Sequence, residues 1–455
     1  MYLQEYGQRV EELIREVAVT QFPVLREVAK IVLAKAKAGG RCWFFGSGHS
    51  HILAEEMQYS ELVPDYIRVF NPPELFDHPS KSGMMERNAE FASVFLDQID
   101  AVSGDVFWII SNSGTNGALV EMALRLKEMG CTLVTLCNLR QTRTVTARHP
   151  CGKKLADIAD YVIDNCGQNG DAAFEVLPGK RMGATSNIAG AYLLNAFLVL
   201  LSGAEKLKAG ETGYEKLPGL KSYDAIYRAN LQWIRQTQMS VIKDAAALAA
   251  DCLDEGKNSY MLGFLHDHSL VEEIHARAGT IMCNKSLVMT NQEITFYHGI
   301  RKAEAFSRCP AYAKALFAVL PEQEKDCFLL VSRTADEPAM VEFARMVKER
   351  HGKVVLLTAL SCARQRQEEG SVLDYADVVM DNGGASDGFS MTAEGIRISF
   401  ITSTGAFILQ CYIMAMAREM YERGVDLPVR ISINTDHGLV YTEELNRKYF
   451  SQTMI

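Results

Sequence analysis

The chain matches itself. Phe45-Gly46-Ser47-Gly48-His49-Ser50-His51, followed by Ala54-Glu55-Glu56, returns as Leu262-Gly263-Phe264-Leu265-His266-Asp267-His268, followed by Val271-Glu272-Glu273, an offset of 217 between positions 51 and 268. The same offset pairs Gln21 with Gln238, Val24 with Val241, and Asp164-Asn165 with Asp381-Asn382. Between these, Asp105-Val106-Phe107-Trp108-Ile109-Ile110-Ser111 meets Asp326-Cys327-Phe328-Leu329-Leu330-Val331-Ser332 at an offset of 221, a slip that a surface loop absorbs. Four matches in one order mean duplication, so whatever one half folds into, the other must also be able to adopt. A single core stops growing at roughly 250 to 300 residues, and 455 residues therefore divide naturally in two. The expected division is a first copy over 1–203, a linker over 204–223 and a second copy over 224–455; the linker holds Gly210, Gly213, Pro218 and Gly219 and has no counterpart in the repeat.

Each copy reads alike. A long amphipathic helix (Val10–Lys37; Leu231–Leu253) leads to a short apolar strand (Cys42–Phe45; Tyr260–Leu262), a Gly-containing turn and a helix. In the first copy a strand over Val106–Ile110 ends in Ser111-Asn112-Ser113-Gly114 and opens a helix over Ala118–Met129, and strands over Thr132–Leu136 and Tyr161–Ile163 follow. Apolar strands alternating with helices predict an α/β fold, a parallel sheet covered on both faces, with ligands at the carboxyl ends of its strands.

Composition excludes several classes. A net charge of −9 without a basic stripe argues against a nucleic-acid partner, because phosphate backbones are bound by clustered cations. The densest basic stretch, Arg140, Arg143, Arg148, Lys153 and Lys154, reads as a solvated loop and helix start. Eleven cysteines without a CxxC pair predict free thiols in a reducing cytoplasm rather than disulfides or a zinc ribbon. Glu5, Glu11 and Glu12 near the start do not suit a signal peptide. The most apolar stretch, Ile188–Leu201, is shorter than the roughly 20 residues a bilayer needs and carries Asn195, so it is expected as a buried core helix, with no membrane partner.

Two turns carry the chemistry. Gly46-Ser47-Gly48 and Ser111-Asn112-Ser113-Gly114-Thr115-Asn116 each put hydroxyls and bare backbone N–H groups at a helix start, which suits an anion. Either turn alone reads as a helix cap; two on consecutive strand ends of one sheet favour the anion site. At these residues the chain resembles the sugar isomerase (SIS) domain family, whose mark is a Ser-x-Ser-Gly loop around a sugar phosphate. Through Phe45–Ser50, Ile110–Gly114, Arg148-His149-Pro150 and Asp164–Gly167 the first copy further resembles an uncharacterised, single-copy, phosphoheptose isomerase-like branch. The resemblance implies two tandem three-layer αβα domains with five-stranded parallel sheets, arranged as a pseudo-dimer with sites at the interface. It also implies that Ser47, Ser111, Asn112, Ser113 and Asn116 ring the phosphate and that Thr185 and Ser186 meet the sugar. The tail Arg430–His437, with Asn434, Asp436 and His437, resembles the branch's C-terminal strand and occurs once.

The second copy departs from the pattern. Its loops read Gly263-Phe264-Leu265 and Ser332-Arg333-Thr334-Ala335, followed by Asp336 and Glu337, whose carboxylates would repel a phosphate, although Arg333 keeps an anion there open. Both copies keep His-x-His-x-x-x-Glu-Glu, which puts His51 with Glu55, and His268 with Glu272, on one helix face. Such a pair suits acid/base work on an enediol; it also reads as helix-start charges beside a buried His, or as half a metal site, for two ligands are not four. No metal and no cofactor is therefore expected. Glu175, ahead of the Thr185-Ser186 loop, is a further acid/base candidate beside the bland reading of a solvated loop carboxylate, and His149 reads as a surface or interface residue. The reading that follows is one phosphosugar site, made mainly by the first copy and completed by the helix bearing His266, His268 and Glu273, that isomerises an aldose and a ketose with His51, Glu55, Glu175 and His268 as its catalytic set. A lyase or deglycase on the same fold, and a non-catalytic phosphosugar sensor, stay open, as does further pairing into a homodimer.

Overall fold

In a computed structural model, residues 2–445 are described except 60–61, 76–81, 173, 206–218, 283, 287–299, 321–323, 367–369, 386–389, 393–394, 434–437 and 439. The first copy forms a parallel sheet of β1 (Cys42–Gly46), β2 (Ile67–Phe70), β3 (Val106–Ile110), β4 (Thr132–Cys137) and β5 (Tyr161–Asp164) in the order β2-β1-β3-β4-β5. An antiparallel hairpin, β6 (Phe174–Leu177) and β7 (Lys180–Met182), follows. The second copy repeats the sheet with β8 (Ser259–Gly263), β9 (Asn284–Ser286), β10 (Cys327–Val331), β11 (Lys353–Thr358) and β12 (Val378–Asp381), ordered β12-β11-β10-β8-β9 and again parallel.

Alternation along the strands explains how the two sheets come together. Trp43, Phe45, Phe107 and Ile109 point into an outer core beneath the helix Gly117–Glu128, while Phe44, Trp108 and Ile110 point into a central one. The second copy does the same with Tyr260, Leu262, Phe328 and Leu330 outward and Met261, Leu329 and Val331 inward. The inward residues of both sheets share one core with the helices Ser186–Glu205 and Ile401–Glu422. The window Ser186–Gly203 is apolar and long enough to cross a membrane, and 94% of it is buried inside the protein, as the core-helix reading expects. Helices therefore cover both faces of both sheets, which is the αβα pseudo-dimer.

Repeated hydrogen bonds pin the repeated frame. Gln21 Oε1 accepts from Asp164 N (2.9 Å), and Gln238 Oε1 accepts from Asp381 N (3.0 Å). Asp105 Oδ1 takes the N–H of Arg41 and Asp326 Oδ1 that of Asn258, each at 2.8 Å. The copies differ at their first helix: Tyr2–Lys37 runs unbroken, whereas its counterpart is split into Leu220–Thr237 and Met239–Asp254 at Gln238. Leu220 lies inside the expected linker, of which 206–218 fall outside the described residues. The short strands β2 and β9 escape sequence reading because three or four residues carry no usable period.

Gly46 and Gly263, equivalent in the repeat, show what the turn after the first strand demands. A Cβ on Gly46 would lie 2.4 Å from the Ser50 carbonyl oxygen, and one on Gly263 would lie 2.5 Å from that of Asp267. The close approach is between backbone atoms, so no side-chain rotation relieves it. Gly263→Ala should therefore destabilise the protein by about 1 to 3 kcal/mol, as overpacking does elsewhere, although copy two lacks the hydroxyl-rich loops. Thermal melting reads this directly, and an unchanged midpoint would mean that the turn needs no glycine.

Candidate functional site

Because β1 and β3 pair in register, with Gly46 opposite Ile110, the loops that follow them emerge side by side. They line a cleft of about 140 Å³ that holds Ser47, Ser111, Asn112, Ser113 and Asn116 together. Gly114 adopts φ +66°, which bares the loop's backbone, and Asn116 precedes the helix Gly117–Glu128 without using its side chain as a cap. Ser111 Oγ accepts from Gly114 N (3.3 Å), and Ser113 Oγ lies 3.1 Å from Thr115 Oγ1. The Asn112 side chain turns the other way, donating to Gln141 Oε1 at 2.8 Å and accepting from Asn165 Nδ2 at 2.9 Å. The opposite wall belongs to the second copy: Arg277, Arg430 and Ser432 face the loops. Asn434, Asp436 and His437 of the same tail lie outside the described residues.

Of the remaining expected site residues, Ser186 lines the cleft and the others fall elsewhere. Asp171, itself at φ +65°, accepts from Thr185 N (3.0 Å), Ser186 N (2.9 Å) and Ser186 Oγ (2.9 Å), closing the start of the Ser186–Glu205 helix. Arg277 Nη2 reaches both Asp171 Oδ2 (2.8 Å) and Ser186 Oγ (2.5 Å), so the Ser186 hydroxyl, on the cleft wall, is already held, while Thr185 does not line the cleft. Glu175 is exposed on β6 and accepts from Gly179 N at 3.2 Å; it is a turn carboxylate away from the cleft. His149 pairs with Glu121 at 3.0 Å on the neighbouring helix.

Glu86, Arg430 and Arg277 are among the cleft residues to which sequence reading gave no role. Glu86, 5% exposed, takes hydrogen bonds from Ser47 and Asn116, and burial pushes its carboxyl above the usual range against the pull of Arg87 and Arg148. Burial alone draws the Arg430 guanidinium down to about 10. Nothing in the sequence around Glu86 signals a site, and the two arginines come from the other copy; only the single occurrence of the Arg430 tail hinted at it.

His51, Glu55 and His268 do not line the cleft either. They meet Glu272 in a sealed cluster between the helices His51–Tyr59 and His268–Ile274, with exposures of 1%, 0%, 0% and 5% in the order His51, Glu55, His268, Glu272. His51 Nε2 is 2.5 Å from Glu272 Oε2 and 3.5 Å from Glu55 Oε1; His268 Nε2 is 3.3 Å from Glu55 Oε2 and 3.7 Å from Glu272 Oε1. Burial pushes the His268 imidazole down, but the facing Glu55 and Glu272 outweigh it and hold it at about 9. The second Glu of each motif is satisfied across the seam. Glu56 accepts from Asn195 of its own copy (2.8 Å) and from Thr402 of the other, with His266 at 3.1 Å; Glu273 accepts from Gln410 (3.2 Å), Asn187 (2.8 Å) and Arg277 (2.6 Å).

The second copy's loop keeps the backbone and fills it. Ala335 holds φ +56° where Gly114 stands, and its N–H bonds Ser332 Oγ at 2.7 Å. Glu337, at the position of Asn116, accepts from Ser332 Oγ (2.5 Å) and Thr334 Oγ1 (3.3 Å), while Asp267, at the position of Ser50, accepts from Arg333 N (2.8 Å). Side-chain carboxylates occupy the donors that remain exposed to a ligand in the first copy. Burial, then the charge of Asp267, pushes the Glu337 carboxyl up to about 7.

The SIS domain family matches the chain twice, at residues 5–138 and 222–359. Among curated proteins, a UPF0309 protein of Halalkalibacterium halodurans is 35% identical over 198 residues, 43% of this chain and 82% of that protein. A UPF0309 protein of Geobacillus thermodenitrificans is 34% identical over 202 residues, 43% of this chain and 80% of that one. Among solved structures, the C-terminal domain of glucosamine-fructose-6-phosphate aminotransferase from Francisella tularensis superposes with a TM-score of 0.50 at 13% identity, covering 94% of this chain and 97% of that one, a likeness of fold.

A carboxyl whose folded value stands near 7 against an ordinary 4.5 binds its proton more tightly in the folded state. Its contribution to stability is full below about 4.5 and is lost as pH rises through 7, at up to about 1.4 kcal/mol per pH unit. Glu337→Gln should therefore gain stability relative to the wild-type chain between pH 5 and 7.5 and hold that gain above. Parallel urea titrations across this range test it, and a difference that stays flat with pH would remove the raised carboxyl.

Proposed function

Because the chain belongs to the SIS domain family, with the domain present twice, we propose that it binds a phosphorylated sugar in the cleft of its first copy and interconverts aldose and ketose forms through an enediol. The observation that carries this is the loop Ser111–Asn116 at a helix N-terminus, faced across the cleft by Arg430 from the second copy. The phosphate supplies binding remote from the reacting carbons, so the groups at the other end can be spent on the transition state. Since His51, Glu55 and His268 are sealed from the cleft, the acid/base work passes to its wall. His49, which donates from Nε2 to the His275 carbonyl at 2.7 Å, and the buried Glu86 both line the cleft and are assigned here as its base and acid. The proposal keeps the division at 204–223 and a cytoplasmic setting, supported by buried cysteines that are free thiols.

The sealing of the His/Glu cluster also favours a second reading, binding without turnover, in which the cleft senses a sugar phosphate. One experiment separates them. With a panel of pentose, hexose, heptose and amino-sugar phosphates, the isomerase should exchange the C2 proton with deuterated water, and a sensor should bind without exchange. Ser111→Ala with Ser113→Ala should weaken binding by about a hundredfold or more, each lost charge-assisted hydrogen bond being worth roughly 1.5 to 3 kcal/mol, while Ser332→Ala with Thr334→Ala should leave it unchanged. His49→Gln and Glu86→Gln should each slow exchange by about 10² to 10⁴. Undiminished exchange in both variants would remove the assigned acid and base.

A further inference from the structure

We propose that His51, Glu55, His268 and Glu272 together hold one divalent transition-metal ion at the seam between the copies. One helix offers two ligands; the pseudo-dimer brings the second pair to face the first and makes four. In His51, Glu55 and Glu272, one ligand atom from each lies within 4.8 Å of the other two. Each Nε2 faces both carboxylates: His51 Nε2 is 3.5 Å from Glu55 Oε1 and 2.5 Å from Glu272 Oε2, and His268 Nε2 is 3.3 Å from Glu55 Oε2 and 3.7 Å from Glu272 Oε1. Four ligands about 2.0 to 2.1 Å from a tetrahedral ion stand about 3.3 Å apart, close to three of these contacts, and binding would open the fourth and turn each carboxylate to present one oxygen.

The ring nitrogens are set for coordination. Nδ1 of His51 bonds the Gly48 carbonyl at 2.6 Å, and Nδ1 of His268 bonds that of Leu265, which leaves both Nε2 atoms aimed across the seam. Carbonyl-anchored imidazoles of this kind are the usual partners of a bound metal. Gly48 and Leu265 both adopt left-handed backbone, at φ +54° and +52°, so the second copy keeps the turn that aims its histidine even where leucine has replaced glycine. A further observation points to a ligand: the oxygens of Glu55, a residue with 0% exposure, stand 3.5 Å from His51 and 3.3 Å from His268, and neither makes a hydrogen bond of good geometry among the described residues. Such groups normally have partners, and a cation among these four side chains would be one.

Charge and donor type select the ion. Two carboxylates and two neutral imidazoles around a dication sum to zero, which suits a site closed to water. Mixed nitrogen and oxygen donors fit zinc, manganese or ferrous ion rather than magnesium or calcium. With four protein ligands and no open position the ion is structural, a clasp between the copies beneath the turn that carries Gly48 and Ser50 into the cleft.

The full chain, unfolded in the presence of a chelator and refolded with zinc, manganese or ferrous ion, should retain about one equivalent of one of them by elemental analysis, and should melt higher than the chain refolded without metal. Anomalous diffraction from crystals should place the ion among these four side chains. Glu55→Gln and His268→Gln should each lower metal affinity by more than about tenfold, as even outer-shell changes do. If either variant fails to fold, the wild-type stoichiometry and the anomalous peak decide. Retention of less than a tenth of an equivalent of every ion, a peak elsewhere, or full occupancy in both folded variants would overturn the proposal and leave the cluster as proton-bridged ion pairs.

Discussion

Four ionisable side chains without solvent, two from each copy, sit where the halves of this protein meet, and the arrangement of the rest follows from the need to satisfy them. An isolated buried carboxylate costs several kcal/mol even after relaxation, so Glu55 and Glu272 are tolerable only because groups of opposite character approach from the other helix. Within one copy the His–Glu contacts are the longer ones, 3.5 Å and 3.7 Å, and the shorter ones cross the seam, from His51 to Glu272 and from His268 to Glu55. Separating the copies would leave two charged pairs incomplete and also strip Glu56 of Thr402 and Glu273 of Asn187. The docking of the halves is thus enforced by polar groups inside an otherwise apolar central core.

This dependence explains what the second copy has kept and what it has lost. His268, Glu272 and Glu273, and the left-handed turn that orients them, persist, because the first copy's buried groups need them. The hydroxyl-and-glycine loop has changed, and none of its residues lines the first copy's cleft. The second copy contributes to the cleft by another route: Arg277 ties Asp171 to Glu273 across the seam, and Arg430 arrives from the far end of the chain.

Much of this was legible in the sequence and some could not be. The repeat, the parallel strands and the two anion loops could be read because they are local: a strand of five apolar residues, or a Ser-x-Ser-Gly turn, declares itself within one window. The i, i+4 pairing of His51 with Glu55 was legible for the same reason, but its partner was not, since no spacing along one helix says what packs against its face. His51 and Glu55 accordingly point into the seam and not into the cleft, whose wall Glu86, on a short segment without periodic pattern, helps to form. Glu175 looked like a site residue from its place before Thr185, and only the hairpin geometry, with its carboxylate bonded to Gly179, shows it to be a turn group.

The filled loop of the second copy gives the clearest view of what the open one is built for. Loops with bare N–H groups and unanswered hydroxyls at a helix N-terminus carry partial positive charge, and a sheet that ends in one is more comfortable when an anion sits there. In the second copy the chain provides its own, Glu337 taking Ser332 and Thr334 while Asp267 takes the N–H of Arg333. An anion supplied by the chain costs no translational entropy to recruit, so this half is complete without a ligand. In the first copy Asn116 and Ser50 replace the two carboxylates, and Glu86, from a separate segment, takes hydrogen bonds from Ser47 and Asn116 with its carboxyl raised by burial. A phosphate that displaced or hydrogen-bonded this carboxyl would meet donors already aligned, with Arg430 across the cleft. The two copies thus share one loop geometry and differ in what faces it, chain carboxylates in the second and a cleft lined by Ser47, Glu86 and Arg430 in the first.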